Sequence, residues 1–270
     1  MRFIRRWVYY LGSAFTIIFN FKHWIALIPV LMNKNRREGK TISLREPPLD
    51  FTTRGAMDIW SIKETFLDAF YSRYGVPIAD GWRVIDIGAG IGDFSIYAAY
   101  GHPDTLVYAF EPFFESYQLL LENIKINNLK NIRPSQLAVW EVEGHLLLDD
   151  SAGEPLQVMS KQGDYQRDEH GSVRVKATTL TQVLERNILE TVDLLKLDCE
   201  GAEYKILMST PEQIFTKIER IIMEYHDIDE NHHHGRLAPF LENMGYDVFC
   251  NENFVHGDIG YLYAQRKGLH

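Results

Sequence analysis

The stretch Val84-Ile85-Asp86-Ile87-Gly88-Ala89-Gly90-Ile91-Gly92-Asp93-Phe94 decides how the rest of the chain is read. An apolar run carrying one acid, Asp86, stops at Gly88. Gly-Ala-Gly-Ile-Gly follows, and a periodic segment runs from Phe94 to Tyr100. The succession predicts a strand, a glycine turn and a helix. Glycine lets the backbone approach a ligand that a Cβ would hold off. The helix N-terminus adds free N–H groups and partial positive charge. Gly88, Gly90 and Gly92 spell G-x-G-x-G. The dinucleotide fingerprint needs its last glycine one position later, where Asp93 stands. Asp86 and Asp93 oppose a pyrophosphate but tolerate a cation without phosphate. S-adenosylmethionine is such a ligand, so it is the expected cofactor ahead of NAD. A second strand, Leu106 to Phe110, ends at Glu111-Pro112. That is about 20 residues on, where a carboxylate at a strand tip accepts both ribose hydroxyls.

Composition narrows the class. The 270 residues suit one domain with additions, or two. With 46% hydrophobic and 24% charged residues, a packed core is expected and global disorder is not. A net charge of −9 argues against sequence-independent nucleic-acid binding. Cys199 and Cys250 form no C-x-x-C pair, so neither a zinc site nor a disulfide framework is indicated. Their scarcity fits a reducing, cytoplasmic compartment.

Residues 1–50 read as a hydrophobic and basic arm with a linker. Arg2, Arg5 and Arg6 precede the uncharged run Trp7 to Phe21; Trp24 to Met32 resumes it, and Lys34, Arg36, Arg37 and Lys40 follow. The run is short for a spanning helix. Two readings of residues 1–32 stay open: a helix lying in an anionic membrane interface on the cytoplasmic face, or an arm packed on its own domain or on a second subunit. Residues 51–82 read as a helical cover, with a capping box at Ser61-Ile62-Lys63-Glu64 starting a helix that Gly75 and Pro77 end. Arg54, Asp58 or Glu64 would then lie near the methionine tail. Residues 83–270 alternate strand and helix. That predicts an α/β, Rossmann-like, mostly parallel sheet with helices on both faces. Strand three is placed at Ile132 to Val139. An inserted hairpin at about 143–178 reads as a substrate lid or a plain surface insertion. Tyr246 to Cys250 and Ile259 to Gln265, joined by a short turn, close the sheet as an antiparallel hairpin.

Ligands in such sheets bind beyond the carboxyl ends of the strands. That rule gathers Asp86, Gly88, Glu111, Asp198, Glu200, Glu224 and His226 at one rim. Lys196, inside a central strand, needs a partner, and Asp198 on the same face is the near one. At Leu194-Leu195-Lys196-Leu197-Asp198-Cys199-Glu200-Gly201-Ala202-Glu203 and Ile221-Ile222-Met223-Glu224-Tyr225-His226 the chain resembles the FkbM-type S-adenosylmethionine-dependent methyltransferases, from about Asp58 onward. Thr181 departs from that pattern, where an acid is usual. The resemblance implies a seven-stranded class I methyltransferase fold and O-methylation of a sugar, glycan or natural product. The expected cofactor contacts are Asp86, Gly88, Ala89, Gly90, Gly92, Phe94, Glu111, Pro112 and Ala138. Asp198, His226, Lys196 and Glu224 are the catalytic candidates. His226, titrating near neutrality, is the preferred base and Asp198 the positioner. A less favoured alternative is a divalent metal on Asp198, Glu200, Glu224 and His226. His232-His233-His234, followed by Gly235, reads as a solvated loop.

Overall fold

The computed structural model describes residues 12–32, 39–149, 157–159, 172–230, 232–253 and 258–269. The glycine stretch folds as its pattern requires. Strand β3 (Arg83–Ile87) is apolar and covered on both faces, and helix α5 (Asp93–Ala99) follows its turn. Five more strands complete the main sheet with β3 and the outer β5 (Ile132–Ser135): β4 (Leu106–Phe110), β10 (Leu194–Leu197), β11 (Arg220–His226), β12 (Tyr246–Glu252) and β13 (Ile259–Arg266). The order is β12-β13-β11-β10-β3-β4-β5. β5, β4, β3, β10 and β11 run parallel; β13 lies antiparallel between β11 and β12. The expected antiparallel ending is therefore present. Side-chain alternation sends Ile85 and Ile87 into one apolar layer and Val84 into another, so the sheet is buried from both sides.

Three expectations need correction. The run placed in strand three divides: Ile132–Ser135 joins the main sheet, whereas β6 (Ala138–Val139) pairs with β9 (Ser172–Thr178). β9 also pairs with β7 (Gly144–Asp149), which carries β8 (Gln157–Met159), so the insertion forms a second, four-stranded sheet. Its tip, 150–156 and 160–171, lies outside the described residues. Second, Ser61 starts no helix. Helix α3 (Ala56–Phe66) begins at Gly55, and a break at Leu67–Ala69 separates it from α4 (Phe70–Tyr74). The reciprocal capping box that does form is Thr179 with Gln182, opening α7 (Leu180–Arg186). Third, the histidine run is not a plain loop: His233 caps α10 (His234–Asn243), and His234 Nδ1 lies 2.7 Å from Asp227 Oδ2.

The arm is anchored. Residues 12–20 are helical, Phe21 forms a bridge to Leu44, and Lys22 N–H donates to the Ser43 carbonyl at 2.8 Å. Ile17, Phe21, Leu27 and Val30 belong to the same apolar layer as Ile59, Ile62 and Phe94. Among the described residues no helix is long and apolar enough to cross a membrane.

Candidate active site

Strand register builds the site. Ala109, Asp86, Lys196 and Ile222 stand side by side across β4, β3, β10 and β11. Two residues further along each strand, on the same face, come Glu111, Gly88, Asp198 and Glu224. All four line one cavity of about 290 Å³ at the carboxyl ends of the strands. This is where the strand order reverses, between β3 and β10. The two strand ends nearly touch: a Cβ on Gly88, at φ +75°, would stand 1.8 Å from the Asp198 carbonyl oxygen. Only glycine fits there.

Beneath this row lies a buried cation. Lys196 Nζ is 3.0 Å from Asp86 Oδ1, donates to the Gly88 carbonyl at 2.9 Å, and stands 3.8 Å from Asp198 Oδ2. Burial alone would lower the lysine's pKa, but Asp86, Asp198 and Asp93 outweigh it and hold the ammonium above its ordinary range. Asp86 is wholly buried, and its other oxygen accepts from Ser95 Oγ at 2.6 Å. Asp86 thus fixes Lys196 from below and does not face the cavity. Asp198 was the expected partner of Lys196; the closer one is Asp86, set by cross-strand register.

Three carboxylates in the cavity are pushed toward their neutral forms. Burial raises Glu64 to about 8, with Lys63 opposing and Asp68 and Asp198 adding. Glu224 is raised well above its ordinary value by burial, then by Asp198 and Glu64. Burial raises Glu111 to about 7, against the pull of two backbone donors. Those donors are Phe113 N–H on Oε1 at 2.9 Å and Gly90 N–H on Oε2 at 2.8 Å. A carboxylate offers about four acceptor positions, so acceptor capacity is left for a ligand.

His226 behaves otherwise. Burial opposes its charge, but Glu203, Glu200 and Asp198 together push it up to about 10. Its Nε2 is 3.4 Å from Glu200 and its Nδ1 3.6 Å from Glu203, and it does not line the cavity. Those carboxylates favour its charged form, and it stands outside the cavity lining, so the structure does not bring the expected base, His226, to the cavity. Of the proposed metal set, Asp198, Glu200 and His226 bring ligand atoms within 4.8 Å of one another; Glu224 is outside that group. Asp227, His233 and His234 form a second such cluster, away from the cavity lining.

Gly88, Gly90, Glu111, Pro112, Ala138, Lys196, Asp198, Glu200 and Glu224 line the cavity, as do Arg54, Asp58 and Glu64 from the cover. Asp86, Ala89, Gly92 and Phe94 do not. Ala89 N–H donates to the Phe110 carbonyl and locks the turn. A Cβ on Gly92 would meet Leu120 at 2.4 Å, so this glycine serves helix packing. Phe94 is buried against Tyr71, ring centroids 4.5 Å apart. Sequence reasoning missed Tyr71, whose hydroxyl lies 3.3 Å from Asp198 Oδ2; Asp93, read there as the acid facing the ligand, is a buried wall residue that accepts from Thr65 Oγ1. It also missed Trp60, Trp140, Leu146 and Leu148 in the lining. Asp93 was legible as the acid where a dinucleotide site wants glycine. The others carry no local signal.

Residues 86–248 match the model of the methyltransferase FkbM domain. The chain belongs to that family. A relative in Streptomyces tacrolimicus, 31-O-demethyl-FK506 methyltransferase FkbM, is 25% identical over 232 residues, covering 76% of this chain and 88% of its own. Methyltransferase sdnD of Sordaria araneosa is 27% identical over 213 residues, covering 69% and 81%. The crystal structure of methyltransferase FkbM from Methylobacillus flagellatus superposes with TM-score 0.47 at 12% identity, covering 77% of this chain and 54% of that one. The FkbM-domain chain is an S-adenosylmethionine-dependent methyltransferase, and its cavity fits that cofactor. Gly90 borders the cavity, and a Cβ there would enter open space. Glu111 keeps acceptor capacity for hydroxyls, and an acid, Asp93, stands in the wall at the position where a dinucleotide turn carries glycine.

Titration of this cavity gives a testable consequence. A cationic cofactor favours ionised Glu64 and Glu111, so their pKa values fall on binding. Affinity is therefore weakest when both are protonated, climbs as pH rises through about 7 and about 8, and levels off above. Each group contributes at most about ten-fold per pH unit. Titration calorimetry between about pH 6 and 9, in buffers of different ionisation enthalpy, should show proton release near neutrality. A flat profile with no proton release would contradict the assignment of these two groups.

Proposed function

We propose that this methyltransferase methylates a hydroxyl of a sugar, glycan or natural-product acceptor. The observation that carries the reading is Asp198. Its side chain, 28% exposed, borders the cavity while Lys196 and the Tyr71 hydroxyl hold the carboxylate. S-adenosylmethionine supplies, when bound, a methyl group already activated by its sulfonium. What this chain must add is alignment, exclusion of water and removal of the acceptor's proton. In this reading Asp198 takes that proton. Lys196 and Tyr71 fix its orientation, and burial beside Asp198 disfavours the charged form of the neighbouring Glu224. Trp60, Trp140, Leu146 and Leu148 wall the cavity and keep water out. The alternative of an NAD-dependent oxidoreductase is disfavoured by Asp93, 6% exposed, in the cavity wall.

Asp198→Asn removes the base but keeps the shape. Its kcat should fall about 100-fold. Cofactor affinity should change far less. The assay is methyl transfer to a panel of glycan and polyketide hydroxyl acceptors, with the methylated atom located by NMR. Transfer to nitrogen, or undiminished turnover by D198N, would refute this mechanism.

A further inference from the structure

The two readings of the N-terminal arm describe opposite faces of one element. Ser13, Ile17 and Phe21, spaced four apart, are at most 6% exposed and face the protein. Leu27 and Val30 continue that inner face at 2%. Phe15 and Phe19, also four apart, point the other way at 61% and 70% exposure. Ile25 at 66% and Ile28 at 42% extend the outer apolar set, with exposed Lys22 among them. Thirteen large apolar side chains are exposed among the described residues, and four of them fall within residues 15–28. Scattered exposed apolar residues need no explanation, but four of them within fourteen residues of a segment anchored to the domain do.

Charge identifies the occupant. Residues 1–40 hold eight Lys and Arg against the single acid Glu38, a net of +7. With −9 for the whole chain, residues 41–270 carry −16. A symmetric contact between two copies through this face would set +7 against +7. An anionic bilayer complements both the positive charge and the apolar side chains. The body of the protein, at −16, is repelled by the same surface, so attachment is confined to the arm.

We propose that the outer face of residues 15–28 docks this methyltransferase onto an anionic lipid surface. Phe15, Phe19, Ile25 and Ile28 enter the headgroup boundary, with exposed Lys22 beside the lipid charge. The inner face stays packed on the domain, so the enzyme lies on the membrane through an anchored element. The proposal is independent of which atom the enzyme methylates.

The test is flotation of the full chain with vesicles of phosphatidylcholine alone and of phosphatidylcholine mixed with phosphatidylglycerol. The wild type should float with the anionic vesicles, and less so as salt screens the attraction. Phe15→Ser/Phe19→Ser/Ile25→Ser should lower the partition coefficient roughly a hundred-fold. Its thermal shift with S-adenosylmethionine should be unchanged, which verifies folding. Lys22→Glu should lower partition roughly ten-fold while leaving the apolar face intact. Three outcomes overturn the proposal: no flotation of the wild type on anionic vesicles, equal flotation of the triple variant, or a wild-type dimer in sedimentation velocity that the triple substitution dissociates. The last would assign this face to a second copy of the chain.

Discussion

Lys196→Met is expected to destabilise the fold by about 3–5 kcal/mol in urea unfolding. The ammonium is 3% exposed and is the neutralising partner of Asp86, which is 0% exposed. Methionine fills the volume but supplies no charge and no donor. Asp86 would keep only the Ser95 hydroxyl, and the Gly88 carbonyl would lose the lysine. A buried carboxylate left in that state costs far more than the pair contributes, because desolvating both ions offsets most of their attraction. Hence a second expectation distinguishes charge from packing. Asp86→Asn combined with Lys196→Met should recover most of the loss, since the amide still pairs with Ser95 and no bare charge remains. If Lys196→Met unfolds within about 1 kcal/mol of wild type, or the double variant is no better than the single, the ion pair does not hold these strand ends.

That pair also marks the limit of what the linear chain discloses. The apolar run and glycines at 84–92 fix a strand, a turn and a helix locally, and the acid at position 93, where a dinucleotide turn wants glycine, favours S-adenosylmethionine over NAD. The rim residues Glu111, Gly88, Asp198 and Glu224 were likewise legible, because each ends an apolar run and such ends converge in a parallel sheet. Register was not legible. Asp86 and Lys196 are 110 positions apart in number and become neighbours only when β3 pairs with β10. Without that pairing, Asp198 two residues away was the obvious partner for Lys196, and Asp86 passed for a cofactor contact. The surroundings of His226 were hidden for a related reason: Glu200 and Glu203 are delivered by the turn and helix after β10, and a lone histidine shows nothing of them. The Ser61 capping pattern is a four-residue signal. Packing of Ile59 and Ile62 into the apolar layer extends α3 back past it to Gly55. The second sheet depends on β6 leaving β5 to pair with β9, nearly 40 residues downstream, which no local periodicity reports.

Glu111→Ala should weaken S-adenosylmethionine binding by roughly 100- to 10,000-fold. Hydrogen bonds to a charged acceptor contribute about 1.5–3 kcal/mol each, and two ribose hydroxyls are at stake. The carboxylate also positions the glycine turn itself, through Gly90 N–H on one oxygen and Phe113 N–H on the other. Removing it frees the loop that frames the cavity as well as the ligand contact. Glu111→Gln is the sharper probe. It is nearly isosteric, but both oxygens already accept from backbone donors, so its amide nitrogen must face one N–H with another. Glutamine should therefore lose most of what alanine loses, despite its shape. Glu111→Asp, which keeps the charge but draws it back, should fall between wild type and alanine. Calorimetry with S-adenosylmethionine and S-adenosylhomocysteine reads all three. Both ligands carry the same ribose, so the loss should be equal for the two. Wild-type affinity in Glu111→Gln, or a loss confined to the sulfonium form, would mean that Glu111 does not hold the sugar and that the glycine turn was assigned the wrong end of the cofactor.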